Sequence, residues 1–263
     1  MRTWRRAVAL DVLGPLALGL IVSLSPVFAT TPDGHPGANS LPQAARDSPS
    51  SQAHLVSALR ATIPIEPITL KADPYIIWQG EAPHAAPAGT VCGVHFEPDR
   101  AHYRLSTFAS AAAARTAGFA ITHLGVCGTC STLQDLAVYL EKPNLTAPVR
   151  KCGIKWHKAA GLMCLEDLGF TTACALTWLY DAQNTRHQCF SVCLLSWIVD
   201  EAPTGKNGEL NACLQCDEDR SGAVFKITAG RTRRNSGIRS SIPRPHDEIA
   251  PIVHDYIPDL APN

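Results

Sequence analysis

The sequence predicts a mainly α-helical domain with a few short strands, an α+β fold stapled by disulfides and exported from the cytosol. Three observations carry this. All ten cysteines lie between Cys92 and Cys216, with none in either flank. An even and confined set of this kind implies an oxidised framework. Residues 156–199 place apolar residues and cysteines at helical spacing. The N-terminus has the layout of an export signal: basic Met1-Arg-Thr-Trp-Arg-Arg6, an apolar run Val12–Leu24, and the small-residue site Val27-Phe-Ala29.

Residues 1–29 are therefore expected to be a signal peptide, with a retained single-pass signal-anchor as the alternative, since about 20 apolar residues suffice to span a bilayer. Either way the body is expected outside the cytosol, secreted or in a lumenal or periplasmic space. Residues 30–54 are rich in Pro, Ser and Gly and read as a disordered linker or stalk. A single cysteine-rich domain is expected over residues 55–258. With 263 residues and zero formal net charge, the chain can bury a core and has no global field that would recruit nucleic acid. A membrane enters only through a retained anchor.

Within the domain, Ala53–Thr62 has weak helical spacing at Leu55, Ala58, Leu59 and Thr62. Ile63–Leu70 is extended because Pro64 and Pro67 forbid helix, and Tyr75–Trp78 reads as a short strand. The alanine-rich Ser106–Ala117 reads as a helix ended by Gly118. Phe119–Val126 has strand character and leads into Cys127-Gly-Thr-Cys130. Ser131 or Thr132 then caps a helix with Leu133, Leu136, Ala137 and Leu140 on its apolar side. Pro143–Pro148 reads as a loop, His157–Leu168 as a helix ended by Gly169, and a longer helix runs from Thr171 or Thr172 toward Val199 with a break near Asn184. Cys189 and Cys193 share one face of it, Trp197 continues their stripe, and Trp178 repeats the spacing from Cys174. A disulfide-stapled helix hairpin accounts for this pattern, with both tryptophans in the core. Ala223–Thr228 reads as a strand.

The Cys127-x-x-Cys130 motif supports three readings. Strand, motif and helix together resemble the active-site segment of thioredoxin-fold oxidoreductases. That resemblance implies a thiol-disulfide oxidoreductase in which Cys127 is the attacking thiolate and Cys130 the resolving thiol. A helix N-terminus does stabilise a thiolate. Alternatively, Cys127, Cys130, Cys213 and Cys216 have the spacing of a four-thiolate zinc or iron–sulfur site. The reading that explains the even count, its confinement and the export signal together is structural, and it requires no cofactor.

The basic segment 226–244 carries Lys226, Arg231, Arg233, Arg234, Arg239 and Arg244 and no acid. Guanidinium forks bind carboxylate and phosphate, so Arg231, Arg233, Arg234 and Arg239 are candidate anion-binding residues, with Asp217 or Glu218 as acid/base. These define an enzyme or accessory protein acting on a small anionic ligand. The alternative is a non-catalytic secreted binding protein. The same arginines have a plain structural outlet in pairing with Asp217, Glu218 and Asp219. Asn144-Leu145-Thr146 is a glycosylation acceptor in a eukaryotic host, which would make the chain a glycoprotein. The histidines are scattered and form no paired ligand spacing.

Overall fold

The computed structural model describes residues 49–78, 84–205, 208–242 and 246–255, all within the compact unit Leu41–Asn263. The expected signal segment, residues 30–48 of the expected stalk, and Arg244 lie outside the described residues. In chain order the elements are α1 (Pro49–Ala61), β1 (Ile63–Pro64), α2 (Pro74–Ile77), β2 (Val91–Phe96), β3 (His102–Phe108), α3 (Ala111–Thr116), β4 (Ala120–Leu124), α4 (Leu133–Glu141), α5 (Thr146–Gly153), α6 (Lys158–Glu166), α7 (Thr172–Gln188), α8 (Phe190–Ile198), α9 (Ala212–Arg220) and α10 (Gly222–Ala229). About half of the described chain is helical, and the mixed four-stranded sheet has the order β1-β3-β2-β4. β1 pairs parallel with β3, and β2 runs antiparallel to both β3 and β4, with a register shift at Cys92/Gly93 against β4. The α+β class is as expected.

The core forms where α4 meets the sheet, α1 and α7. Leu59 of α1, Val94 and Tyr103 of the sheet, Leu133, Leu136 and Ala137 of α4, and Leu165 and Leu179 of the later helices are all buried in one cluster. Two helix starts in this core share a single carboxylate. Thr132 caps α4, its Oγ1 accepting from Asp135 N at 3.1 Å. The Asp135 carboxylate accepts from Thr132 Oγ1 at 2.5 Å, and from Thr171 N at 2.8 Å and Thr171 Oγ1 at 2.9 Å. Thr171 in turn caps α7. An acidic group at two helix N-termini satisfies orphan N–H groups and complements both dipoles. Burial nevertheless pushes Asp135 up to about 6, against the downward pull of these hydrogen bonds and of Arg231.

Several elements differ from the sequence expectation. Tyr75–Trp78 is one helical turn, because Asp73 accepts from Tyr75 N and Pro74 stands at the first helical position. The expected helix over Ser106–Ala117 is helical over only half its length. Ser110 caps only Ala111–Thr116, while Ser106–Phe108 belong to β3. Thr146–Gly153 is helix although Pro148 lies inside it; the proline falls in the first turn, where its missing N–H has no partner to lose. Ala223–Thr228 lies in α10, packed against α7 and α9 rather than in the sheet. The long helix breaks at Cys189 instead of near Asn184, giving α7 and α8.

Candidate functional site

The cysteines resolve into Cys92–Cys127, Cys130–Cys174, Cys152–Cys164, Cys189–Cys216 and Cys193–Cys213. No cysteine is free. Cys127 and Cys130 therefore bond to different, distant partners, which corrects the redox reading: the motif forms no dithiol pair of its own. The same finding corrects the zinc or iron–sulfur alternative on Cys127, Cys130, Cys213 and Cys216, because a disulfide sulfur is not a thiolate ligand. Among the described residues no group of three or more His, Cys, Asp or Glu is arranged to hold a metal.

What the Cys-Gly-Thr-Cys segment does instead is receive the end of α10. Thr129 N donates to Thr228 O and Cys130 N to Ala229 O, both at 2.9 Å. The backbones lie so close that a Cβ on Gly128 would fall 2.5 Å from Thr228 O. Gly230, with φ +70°, crosses Gly128 at equally short range. Thr129 Oγ1 adds bonds to Thr177 Oγ1 at 2.6 Å and Thr228 O at 3.0 Å.

Immediately beyond this crossing stands Arg231, fully buried. Its guanidinium donates to the carbonyls of Thr122 (3.1 Å), Cys130 (3.1 Å) and Ser131 (3.0 Å), and to Thr122 Oγ1 at 2.6 Å and Ser236 Oγ at 3.4 Å. It thus ties β4, the Cys130 loop and the 230s together. Arg233 donates to Tyr139 O at 2.7 Å and to Lys142 O, carbonyls at the C-terminus of α4, where a cation meets the negative end of the dipole. Burial lowers its pKa. Arg234 bridges Glu248 at 2.7 Å and Glu218 at 3.5 Å, and Lys226 also meets Glu218. Arg239 is exposed. The arginines are thus distributed over carbonyls and carboxylates of the fold rather than gathered on one opening.

Ser131 and His123 form a second buried group beside Arg231. Leu124 O can only accept, so His123 Nδ1 carries the proton toward it at 2.9 Å, and Nε2 accepts from Ser131 Oγ at 2.7 Å. This is the hydrogen-bond order of a nucleophile and base. Both residues, however, have zero exposure, so a substrate cannot reach the hydroxyl. Burial, and then the Arg231 charge, hold the imidazole well below its usual pKa and neutral.

The acidic stretch is more informative. Asp217 on α9 stands beside Asp181 on α7, and each raises or responds to the other. Burial first, then the Asp217 charge, push Asp181 well above the ordinary carboxyl range. Burial likewise raises Asp217. Tyr75 Oη donates to Asp181 Oδ1 at 2.7 Å, and Thr185 Oγ1 donates to Asp217. Asn184 Nδ2 and Thr185 Oγ1 both reach Ser221 Oγ, at 3.0 and 2.9 Å. In such a pair the charge on one carboxyl holds the proton on the other more tightly than on a lone carboxyl. Sequence reading singled out Asp217 and Glu218 but missed Asp181, Tyr75, Asn184 and Thr185. The available signal was the i, i+4 spacing of Asp181 and Thr185 on one helix.

The largest departure from expectation is α8. Trp178 packs against the core and touches Phe225 at 4.5 Å between ring centroids, but Trp197 is 62% exposed. The face of α8 toward the body is Cys189, Cys193 and Ser196, spaced i, i+4, i+7, with Cys193 and Cys189 bonded to Cys213 and Cys216 of α9. Trp197 is one residue, about 100°, past Ser196 and so turns away from that seam. Phe190, Leu195, Ile198 and Val199 are likewise exposed, Ile198 to 70%. A shallow recess of about 650 Å³ at the α7–α8 junction is lined by Gln183, Arg186, His187 and Phe190. Asn144, the glycosylation candidate, is exposed before α5, its Oδ1 accepting from Thr146 N at 2.9 Å.

Residues 158–252 match the model of a family described as "Family of unknown function (DUF8771)". That stretch holds the carboxyl pair, the α8–α9 staple and Arg231, and leaves the sheet outside. No curated protein matches the chain, and no solved structure does.

Proposed function

We propose that the chain is an exported, non-catalytic binding protein whose contact surface is α8. The observation that carries this reading is a strongly apolar surface helix, Phe190–Ile198, held by two disulfides with only Ser196 of its nine residues buried. Contiguous exposed apolar surface of this kind marks interaction sites. A rigidly clamped helix presents it with little ordering cost on binding. Five disulfides fit an extracellular or lumenal setting.

The rival reading, an enzyme or accessory protein acting on a small anion, has one observation in its favour: the Asp181–Asp217 pair, a plausible acid/base couple with Glu218 at its edge. Its anion clamp is weaker. Arg231 and Arg233 face backbone carbonyls and Arg234 pairs with Glu218 and Glu248, which leaves Arg239 as the candidate ligand contact.

The test is a photo-crosslinking side chain placed at Leu195 or Ile198, with Arg115 on α3 as an exposed control, in protein exported by its native host. Discrete adducts from the two α8 positions and none from the control are expected. Absence of adducts from α8 removes the reading.

A further inference from the structure

Resting on that reading, we infer that the partner of α8 is a second copy of this chain, the two α8 helices packing antiparallel about a two-fold axis. Phe190, Leu194, Trp197 and Ile198 stand at i, i+4, i+7 and i+8, the spacing of a helix-packing seam. The charges at the two ends of α8 are opposite. Arg186 and His187 close α7 just before it, and Asp200 and Glu201 follow it. Arg186 and His187 sit favourably at the C-terminus of α7, whereas the acidic end of α8 is the reverse of what its own dipole favours. Antiparallel pairing of two copies sets each basic end against the partner's acidic end, as a self-complementary two-fold interface requires.

The recess fits the same arrangement. Its lining residues Arg186, His187 and Phe190 lie at the N-terminal end of α8, and an antiparallel neighbour brings its Trp197 to that end. Nine residues make the helix about 13 Å long, so Trp197 of one copy and the recess of the other come into register when the helices overlap fully. Along the seam Phe190 is 59%, Leu194 36%, Trp197 62% and Ile198 70% exposed, which supplies the apolar centre of an interface. A standard interface takes about 800 Å² from each partner. A lipid surface is the less suited occupant. Interfacial helices carry Lys and Arg on their polar side, whereas α9, bonded to α8, carries Asp217, Glu218 and Asp219, and Asp200 and Glu201 adjoin the stripe.

Sedimentation velocity on the disulfide-intact exported protein, over a concentration series, tests this. A concentration-dependent dimer is expected. Trp197→Asp should raise its dissociation constant by roughly thirtyfold or more, as for a buried aromatic anchor, with unchanged near-UV circular dichroism. Arg186→Glu and Asp200→Lys should each weaken the dimer, and the two together in one chain should restore it. Such rescue is specific to opposed ends, and its absence overturns the antiparallel arrangement. A dimer indifferent to Trp197→Asp overturns the assignment to α8. A monomer at every concentration overturns self-pairing, and the photo-adducts then separate the two proposals. Adducts from Leu195 or Ile198 at a mass other than twice the chain leave the binding reading standing, and no adducts remove it as well. Capture by phosphatidylcholine–phosphatidylserine vesicles, lost in Trp197→Asp, with no dimer would assign the surface to lipid and overturn the second copy.

Discussion

Replacing Arg231 with methionine separates a keystone from a ligand clamp. The guanidinium satisfies three buried carbonyls, those of Thr122, Cys130 and Ser131, at 3.0–3.1 Å, and the Thr122 hydroxyl at 2.6 Å. Left without a donor, each carbonyl costs about 1–3 kcal/mol, a gross loss of roughly 3–9 kcal/mol. Removing a buried cation returns several kcal/mol of desolvation, so the net effect expected for breaking one side of such a site is about 3–5 kcal/mol. For a domain of this size about 2–4 °C of Tm follow each kcal/mol, which puts the drop at roughly 6–20 °C. Arg231→Lys keeps the charge but cannot span three carbonyls and a hydroxyl with one ammonium, and it should fall between methionine and wild type. The assay is guanidinium unfolding with disulfides intact, alongside sulfate titration by calorimetry. A methionine variant with wild-type stability that has lost sulfate binding would falsify the keystone role and make Arg231 a clamp.

Three further outcomes follow from the same geometry. Gly128→Ala should destabilise by about 1–3 kcal/mol, typical of overpacking, because its Cβ would meet the Thr228 and Ala229 backbone at 2.5–2.6 Å; thermal melts check it, and a neutral result would mean the crossing yields freely. Removing Cys193–Cys213 by paired serines, a separation of 20 residues, should cost about 3 kcal/mol, and removing Cys130–Cys174, a separation of 44, about 4 kcal/mol. Hydrogen exchange should show the first loss concentrated in α8, and uniform loss of protection would refute the local role of that staple. For Asp181 the folded pKa lies above the unfolded one, so its contribution is present at acid pH and is lost as pH rises through the folded value. Asp181→Asn should therefore raise Tm at neutral pH and change it little near about pH 4. A variant that loses stability at neutral pH would show that the charged carboxylate is needed where it stands.

Legibility from sequence tracked how local the deciding physics was. The caps of α4 and α7 were readable to within one residue, as Ser131 or Thr132 and Thr171 or Thr172, because the N-cap bond reaches only three residues along the chain; the structure selects Thr132 and Thr171. Gly169 was readable as a stop, and it has φ +104°. The i, i+4 spacing of Cys189 and Cys193 was readable as one helical face, but their partners Cys216 and Cys213 on α9 were not, because spacing along a helix does not say which distant segment packs on it. Ala223-Val-Phe-Lys-Ile-Thr228 read as strand, yet Phe225 packs on Trp178 of α7, a contact far off in sequence that outweighs propensity. Arg231 looked like a clamp because a basic run shows charge but not which donors meet carbonyls about 100 residues away in sequence. Asp181 went unnoticed for the same reason: its significance comes from Asp217 across a helix interface, not from its own neighbours. Trp197 was assigned to the core on composition. The disulfides replace apolar packing on the inward side of α8, and that leaves the tryptophan outside.

That replacement is the strongest reason to regard α8 as built for contact. A nine-residue helix is marginal in water by itself, and ordering each residue costs about 1–2 kcal/mol of backbone entropy. Most surface helices recover this by burying an apolar stripe, but α8 turns its seam of Cys189, Cys193 and Ser196 inward and Phe190, Trp197 and Ile198 outward. The two bonds to α9 supply the restraint that packing would otherwise provide. A helix needing only to be stable would do better with the tryptophan inside and serines outside. At concentrations where the chain is monomeric, exchanging Phe190, Trp197 and Ile198 for serine should accordingly leave Tm unchanged or higher and improve solubility, since the monomer forgoes burial there. Were that variant to unfold instead, the outward side chains would be holding the domain together, and α8 would be a poorly covered part of the core.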